Sequence, residues 1–281
     1  ISDGEFNLLD VLEHTVAATL SHPRLTGCGS NRAVSYAHSD STSANVYSNI
    51  VDVDANGIIT VTEMNFVNPA GSTVINAPRS FDTLIGVNRN RLILATAYAP
   101  FNSIIATTLD LPEAGGSTTA VSTTRIVYQM TGTMSGTGAL GSKRINENNF
   151  AVWFNSTTGQ EIVATFELLG ETPKLIGGVL NTGMKNAASA YLNNVEVVGA
   201  GSGLLLSRTT SDQRDEVVQV NLDSDLIPTI EGRAADLTTS TGVEHAIAVP
   251  VTADKFTMTV SRTASNASVW IGTMAPSTNP T

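Results

Sequence analysis

The chain has 281 residues, 41% of them hydrophobic and only 14% charged, with a formal net charge of -10. Such a length suffices for a large core, and a disordered chain would be richer in charge and poorer in apolar residues. The acidic balance repels phosphate backbones and anionic bilayers, which argues against nucleic-acid partners and membrane insertion.

The N-terminal stretch "ISDGEFNLLDVLEHTVAATLSHP" carries Phe6, Leu9, Leu12, Val16 and Leu20 at helical spacing. Asp3 is a fitting N-cap and Pro23 a fitting stop, which predicts a short amphipathic helix over residues 1–22, serving attachment or oligomerisation. The chain begins at Ile1, as a processed or partial polypeptide would. No basic stretch followed by an apolar run marks a signal peptide, and no apolar run reaches the roughly 18 residues of a spanning helix. Cys28 is the single cysteine. No intrachain disulfide, CxxC pair or thiolate zinc site is therefore available, and a small buried hydrophobe is its expected role.

From residue 23 to 281 the chain repeats. Five apolar runs, anchored at Ala33, Leu92, Phe150, Leu204 and Phe256, are each followed by a polar turn and a second β-rich run. The second runs start at Val46, Ile104, Ile162, Val217 and Val269, 52 to 58 residues apart. A third strand-like run follows in the first four units ("GIITVTEMNF", "STTAVSTTRIVY", "PKLIGGVL", "LIPTIEG"), and strand-like stretches such as "FDTLIGV" and "EHAIAVPV" precede the first parts. The expected fold is all-β, a β-propeller of about five four-stranded blades; a β-sandwich with regular hairpins is the alternative. The fifth unit stops after its third strand, and "HTVAATLSH" (His14 to His22) could donate the missing one.

Within the first unit, "DVDANGIITVTE" fits the calcium-loop pattern at every specified position. As a calcium site it would use Asp52, Asp54, Asn56, the carbonyl of Ile58 and Glu63, with Gly57 at the turn. The flanks "HSDSTSANVYSNIV" and "MNFVNPAGS" offer no amphipathic helices, so a helix–loop–helix does not fit. Asn56-Gly57 is a favoured type I′ pair and "IITVT" is strand-like, so the segment also reads as a hairpin turn, with a possible calcium ion among its acidic groups.

Other motifs are weaker. "GTGALG" (Gly136 to Gly141) lacks the strand before and helix after that a dinucleotide site needs, and reads as an inter-blade loop. His14, His22, His38 and His245 form no close metal pair. Asp82, Asp110, Glu147 and Glu167 are carboxylates that a glycosidase could use, but nothing in the sequence pairs them. Trp153 and Trp270 lie on strand-like runs and are expected to pack between blades. "NST" at Asn155 and "NAS" at Asn266 are glycosylation sequons in a eukaryotic secretory setting only.

Two segments carry a resemblance. "ISDGEFNLLD" is similar to the "IS-x-x-E-x-N-x-LDG" linkers of bacteriophage tail fibres, with Val11 in place of the usual Gly. "NRLILATAYAP…SIIATTLDLP" is similar to the repeats of propeller domains in phage and bacterial surface proteins. The resemblance implies a non-enzymatic protein of the virion surface, a tail-fibre tip or decoration that binds a host receptor. Its partners would be other virion proteins and a host glycan or protein, and the expected assembly is a homo-oligomer. The alternative is a carbohydrate-active propeller, hydrolase or lectin.

Overall fold

A computed structural model describes residues 20–29, 31–39, 46–65, 82–98, 103–127, 141–155, 161–184, 194–201, 203–209, 215–235, 243–252, 254–262 and 267–274. They form five antiparallel meanders, in which each strand pairs with its sequence neighbour. Blade 1 contains β1 (Leu20–Gly27), β2 (Arg32–Ser39), β3 (Val46–Val53) and β4 (Ile59–Asn65). Blade 2 contains β5 (Asp82–Asn88), β6 (Arg91–Tyr98), β7 (Ser103–Asp110) and β9 (Thr119–Val127). The two-residue β8 (Gly116–Ser117), in the loop between β7 and β9, pairs in parallel with β4 of blade 1. Blade 3 contains β10 (Gly141–Arg144), β11 (Asn149–Asn155), β12 (Glu161–Leu169) and β13 (Thr172–Asn181). Blade 4 contains β14 (Asn194–Val198), β15 (Gly203–Thr209), β16 (Asp215–Leu222) and β17 (Pro228–Ala235). Blade 5 has three described strands, β18 (Val243–Thr252), β19 (Lys255–Arg262) and β20 (Ala267–Thr273).

The first strands of successive blades lie side by side, β1 on β5, β5 on β10, β10 on β14 and β14 on β18. This is propeller architecture, as the repeats predict. Period-2 alternation gives each blade two faces, and four apolar seams join them. Val34, Tyr36 and Ile50 meet Leu84, Leu92 and Leu94 between blades 1 and 2. Ile93 and Ala95 meet Phe150, Val152 and Phe166 between blades 2 and 3. Trp153 and Val163 meet Leu204, Leu206 and Val218 between blades 3 and 4. Leu205 and Val217 meet Phe256 and Met258 between blades 4 and 5. Trp153 thus packs between blades as expected, whereas Trp270 is 36% exposed on β20.

One hydrogen bond marks the repeat. A residue at the end of the third strand donates its N–H to the turn between the first two strands: Val53 to Asn31, Leu111 to Asn90, Leu168 to Asn148 and Met274 to Asp254, at 2.7–2.9 Å. The anchors Ala33, Leu92, Phe150, Leu204 and Phe256 occupy one structural position, the second residue of each second strand.

The N-terminal reading needs correction. Residues 1–19, where the helix was expected, lie outside the described residues, but β1 already begins at Leu20, so neither a helix nor a donated strand can extend through His22. The expected boundary at residue 22 falls inside a strand. Pro23 is not a helix stop; it sits where the β1–β2 register shifts between Ser21 and Arg24, a place where a missing N–H is tolerated.

Candidate functional site

Meander topology sends the connections between strands one and two, and between strands three and four, to the same end of every blade. At this end lies the calcium-like segment. It is the β3–β4 hairpin: Val53 pairs with Ile59 and residues 54–58 make the loop. Gly57 donates its N–H to Asp54 O (3.0 Å), and Asp54 N–H is bonded to Ile58 O (3.0 Å). Asp54 Oδ1 accepts from the amides of Asn56 and Ile58, both at 2.8 Å. Gly57 alone in this loop has a positive φ, of 83°. The turn is therefore a type I turn followed by a left-handed glycine, not type I′, which would need positive φ at two adjacent residues.

The four proposed ligands are not brought together. Asp52 holds the guanidinium of Arg32 by two bonds, Nε to Oδ1 at 2.8 Å and Nη2 to Oδ2 at 2.9 Å, with Arg89 Nη2 also 3.4 Å from Oδ1. Asp54 Oδ1 is occupied by the loop amides, and the Ile58 carbonyl by the Asp54 N–H. Glu63 stands opposite Asn49, whereas Asp52 stands opposite Thr60, which puts Glu63 about 10 Å further along the strand. Hydrogen-bond donors account for the acidity. The hydrogen bond from Arg32 holds the Asp52 carboxyl below the usual carboxylate range, and the Ile58 amide does so for Asp54.

Blade 4 repeats the loop with different residues. Asp223 Oδ1 accepts from the amides of Asp225 (2.9 Å) and Ile227 (2.8 Å), and Leu226 N–H is bonded to Asp223 O. Leu226 takes the place of Gly57, at a φ of 60°. The recurrence shows that the acidic spacing is a property of the hairpin.

The rest of this end is a lattice of cations spanning the seams. Besides Asp52, Arg32 donates to the carbonyls of Arg89 and Glu113 in blade 2. Arg91 bonds Asp110 at 2.7 Å in its own blade and Glu171 at 2.9 Å in the next. Arg144 donates to the carbonyls of Gly86 and Val87. Lys143 reaches Glu196 at 2.7 Å. Hydroxyls add to this: Thr108 Oγ1 donates to Glu171 O and Thr165 Oγ1 to Leu226 O, both at 2.7 Å.

The carboxylates singled out for sugar chemistry are dispersed. Asp110 closes β7 on Arg91, Glu147 sits in the β10–β11 turn, and Glu167 faces Asn149 and Lys174 in the strand register. The side chains of Asp82 and of all four histidines fall outside the described residues, as does Asn266. No group of three His, Cys, Asp or Glu converges among the described residues. A cleft of about 210 Å³ between blades 4 and 5 is lined by Leu205, Gln219, Arg233, Phe256 and Met274 among others. Its one charged liner, Arg233, bonds Glu216 at 2.8 Å and the carbonyl of Gly183. Of "GTGALG" only Gly141 is described, and it opens β10 flat against the Trp153 ring, a packing role. Cys28 is fully buried, and burial pushes its thiol up to about 11, so it is inert as expected.

Sequence reasoning missed the seam-bridging cations. Their signal was nonetheless present, since Arg32 and Arg91 occupy the same place in their units, 20 and 19 residues before Asp52 and Asp110.

No family model and no curated protein matches the chain. Solved structures do. A triple arginine-to-alanine mutant of AofleA from Arthrobotrys oligospora aligns with a TM-score of 0.51 and 11% identity over 92% of this chain and 70% of that one. The β-propeller domain of Nup133 from Vanderwaltozyma polyspora aligns with a TM-score of 0.46 and 9% identity, covering 86% and 72%. The WD40 domain of SCAP from fission yeast gives 0.43 and 10%, covering 88% and 60%. At these identities the likeness concerns the fold, and the fold is a β-propeller.

Proposed function

We propose that the chain is a non-enzymatic binding protein of a phage surface, a fibre tip or decoration, that holds a host glycan or protein with the end of the disc opposite to the arginine lattice. One observation carries the binding role. The junctions of strands two and three lie at that end, and in four of the five blades the sequence between them is hydroxyl- and amide-rich: "DSTSAN" (40–45), "STTGQ" (156–160), "TSDQR" (210–214) and "TASN" (263–266), against "APFN" (99–102) in blade 2. Short polar side chains of this kind offer adaptable hydrogen bonding on a rigid scaffold. At the lattice end, by contrast, Asp52, Asp54 and Asp110 are committed to arginines and amides. The viral assignment is supported by the resemblances of "ISDGEFNLLD" and of the repeat "NRLILATAYAP…SIIATTLDLP" taken together.

The test is binding of labelled chain to phage-susceptible cells and to a glycan array. Replacing residues 156–160 and 210–214 by Gly-Ser segments should abolish binding and leave the melting temperature unchanged. Binding untouched by these replacements overturns the assignment of the face. Release of reducing ends from a bound glycan would favour the carbohydrate-active reading instead.

A further inference from the structure

Three seams are closed by one device. The hairpin between the third and fourth strands of one blade lies over the outer strands of the blade before it. The third-strand positions beneath it are Ile50, Thr108 and Thr165, each at most 1% exposed. They pair on the fourth strand with Thr62, Ser122 and Ile176. Thr108 Oγ1 donates to Glu171 O, and Thr165 Oγ1 to Leu226 O. Ser122 Oγ lies 3.0 Å from Thr172 Oγ1, and a Cβ built on Gly115 would stand 3.0 Å from Thr62 Cγ2. These contacts keep register with the repeat. Gly115 follows Leu111, Thr172 follows Leu168 and Leu226 follows Leu222, each by four residues (115-111, 172-168, 226-222).

Between blades 4 and 5 the equivalent pair is Gln219 and Gly232. Both line the cleft of about 210 Å³, and Thr273 and Met274 of blade 5 form its other wall. A Cβ added to Gly232 would meet nothing within 4 Å. The cleft therefore sits where the other three seams hold a hairpin. The segment in the hairpin's place is "APSTNPT" (275–281), which lies outside the described residues. Met274 fixes where it starts, since its N–H is held by Asp254 O at 2.7 Å while the residue lines the cleft. Four residues on (278-274) is Thr278. Small and hydroxyl-bearing residues suit a cleft that joins Gln219 and Thr273 to the apolar Leu205 and Phe256.

We infer that the cleft between blades 4 and 5 is the docking site of the chain's own residues 275–281. The segment crosses back over the seam and sets Thr278 beside Gly232. A backbone carbonyl at Ser277 or Thr278 accepts from the Gln219 amide, as Glu171 O and Leu226 O accept from Thr108 and Thr165. The repeat selects this occupant, because neighbouring units of a repeat array meet through equivalent surfaces. The inference is independent of what the disc binds.

Cysteine trapping in the full chain tests it. Gly232→Cys with Thr278→Cys should form a disulfide within one copy under mild oxidation, because Cys28 is buried and cannot compete. Ser122→Cys with Thr278→Cys, the same pair moved two blades away, should not. Labelling supplies a second measurement that leaves Gly232 unchanged. The thiol of a single Thr278→Cys variant should react at least ten-fold more slowly in the folded chain than in urea. Adding Gly232→Leu, which occupies the cleft, should bring the folded rate to within about two-fold of the rate in urea. Equal rates for the single variant in the folded chain and in urea overturn the inference. So do a disulfide that forms only between copies, equal crosslinking from Ser122→Cys, and a protected thiol that Gly232→Leu leaves protected.

Discussion

The hairpins of blades 1 and 4 share one backbone and are held by different forces. In both, an aspartate accepts two loop amides through Oδ1. In blade 1 the hairpin root is an ion pair, Arg32–Asp52, and the left-handed position is Gly57. In blade 4 the same root positions are Gly203 and Asn221, and the left-handed position is Leu226, packed against the core between blades 3 and 4. Ile227 beside it fits over Gly177, where a Cβ would lie 2.8 Å from its Cγ1. The aspartate sets the turn, and the neighbourhood decides whether charge or packing anchors it. Leucine tolerates a backbone region that usually demands glycine because its burial offsets the strain.

The largest break should come at the blade 1 root. Arg32 is 5% exposed, and Arg32→Met leaves Asp52 without its main partner and two blade 2 carbonyls without a donor. A loss of about 2–3 kcal/mol in urea unfolding is expected. Asp52 titrates below its ordinary 3.8 in the folded chain, so its contribution is full above that value and lost as pH falls through the lowered one. The variant should accordingly lose less stability than the parent between pH 5 and pH 2.

The packing anchor of blade 4 comes next. Leu226→Ala should cost about 2 kcal/mol, the low end for a partly buried leucine. Leu226→Gly should recover about 1 kcal/mol of that, because glycine accepts the positive φ. If both variants equal the parent, packing is not the anchor.

Asp54→Ala and Asp223→Ala remove the shared element. Each should lower the melting temperature by a smaller amount, with the blade 4 loop retaining its position through Leu226 and Ile227. The smallest expected effect is that of calcium. Millimolar calcium should produce no heat in titration calorimetry and no thermal shift, since Asp52, Asp54 and Ile58 O already have partners.

Much of the scaffold was legible in the sequence because strand alternation is local. The anchors Ala33 to Phe256 fall on one structural position, and the third strands lie where their apolar runs were read. The second-run anchors drift by up to two positions, because Val46 lies six residues before Asp52 whereas Val217 lies four before its equivalent Asn221. The turn at Asn56-Gly57 was visible, but its type was not. That type depends on Asp54 folding back on its own amides, and the dipeptide does not encode this. Leu20 to His22 were misread because Leu20 falls in step with the helical spacing of the residues before it, while the strand pairing that claims it lies in a distant part of the unit. The seam-bridging arginines act between blades, at sequence separations of about 57 to 81 residues, beyond any local pattern.

The parallel pair of β8 with β4 has a consequence for how the repeats behave as units. Met64 and Asn65 align with Gly116 and Ser117, and Thr118 donates to Asn65 O at 2.9 Å. A strand of the second repeat is thereby sewn into the sheet of the first. Stacked repeats that touch only through faces can fray one at a time, but these two share a hydrogen-bonded ladder. Under a pulling force, blades 1 and 2 should rupture in a single extension step, while blades 3 and 4, whose described residues meet through side-chain packing and hydrogen bonds from side chains, come apart separately. Shuffling blades between positions would likewise move the first two as a cassette.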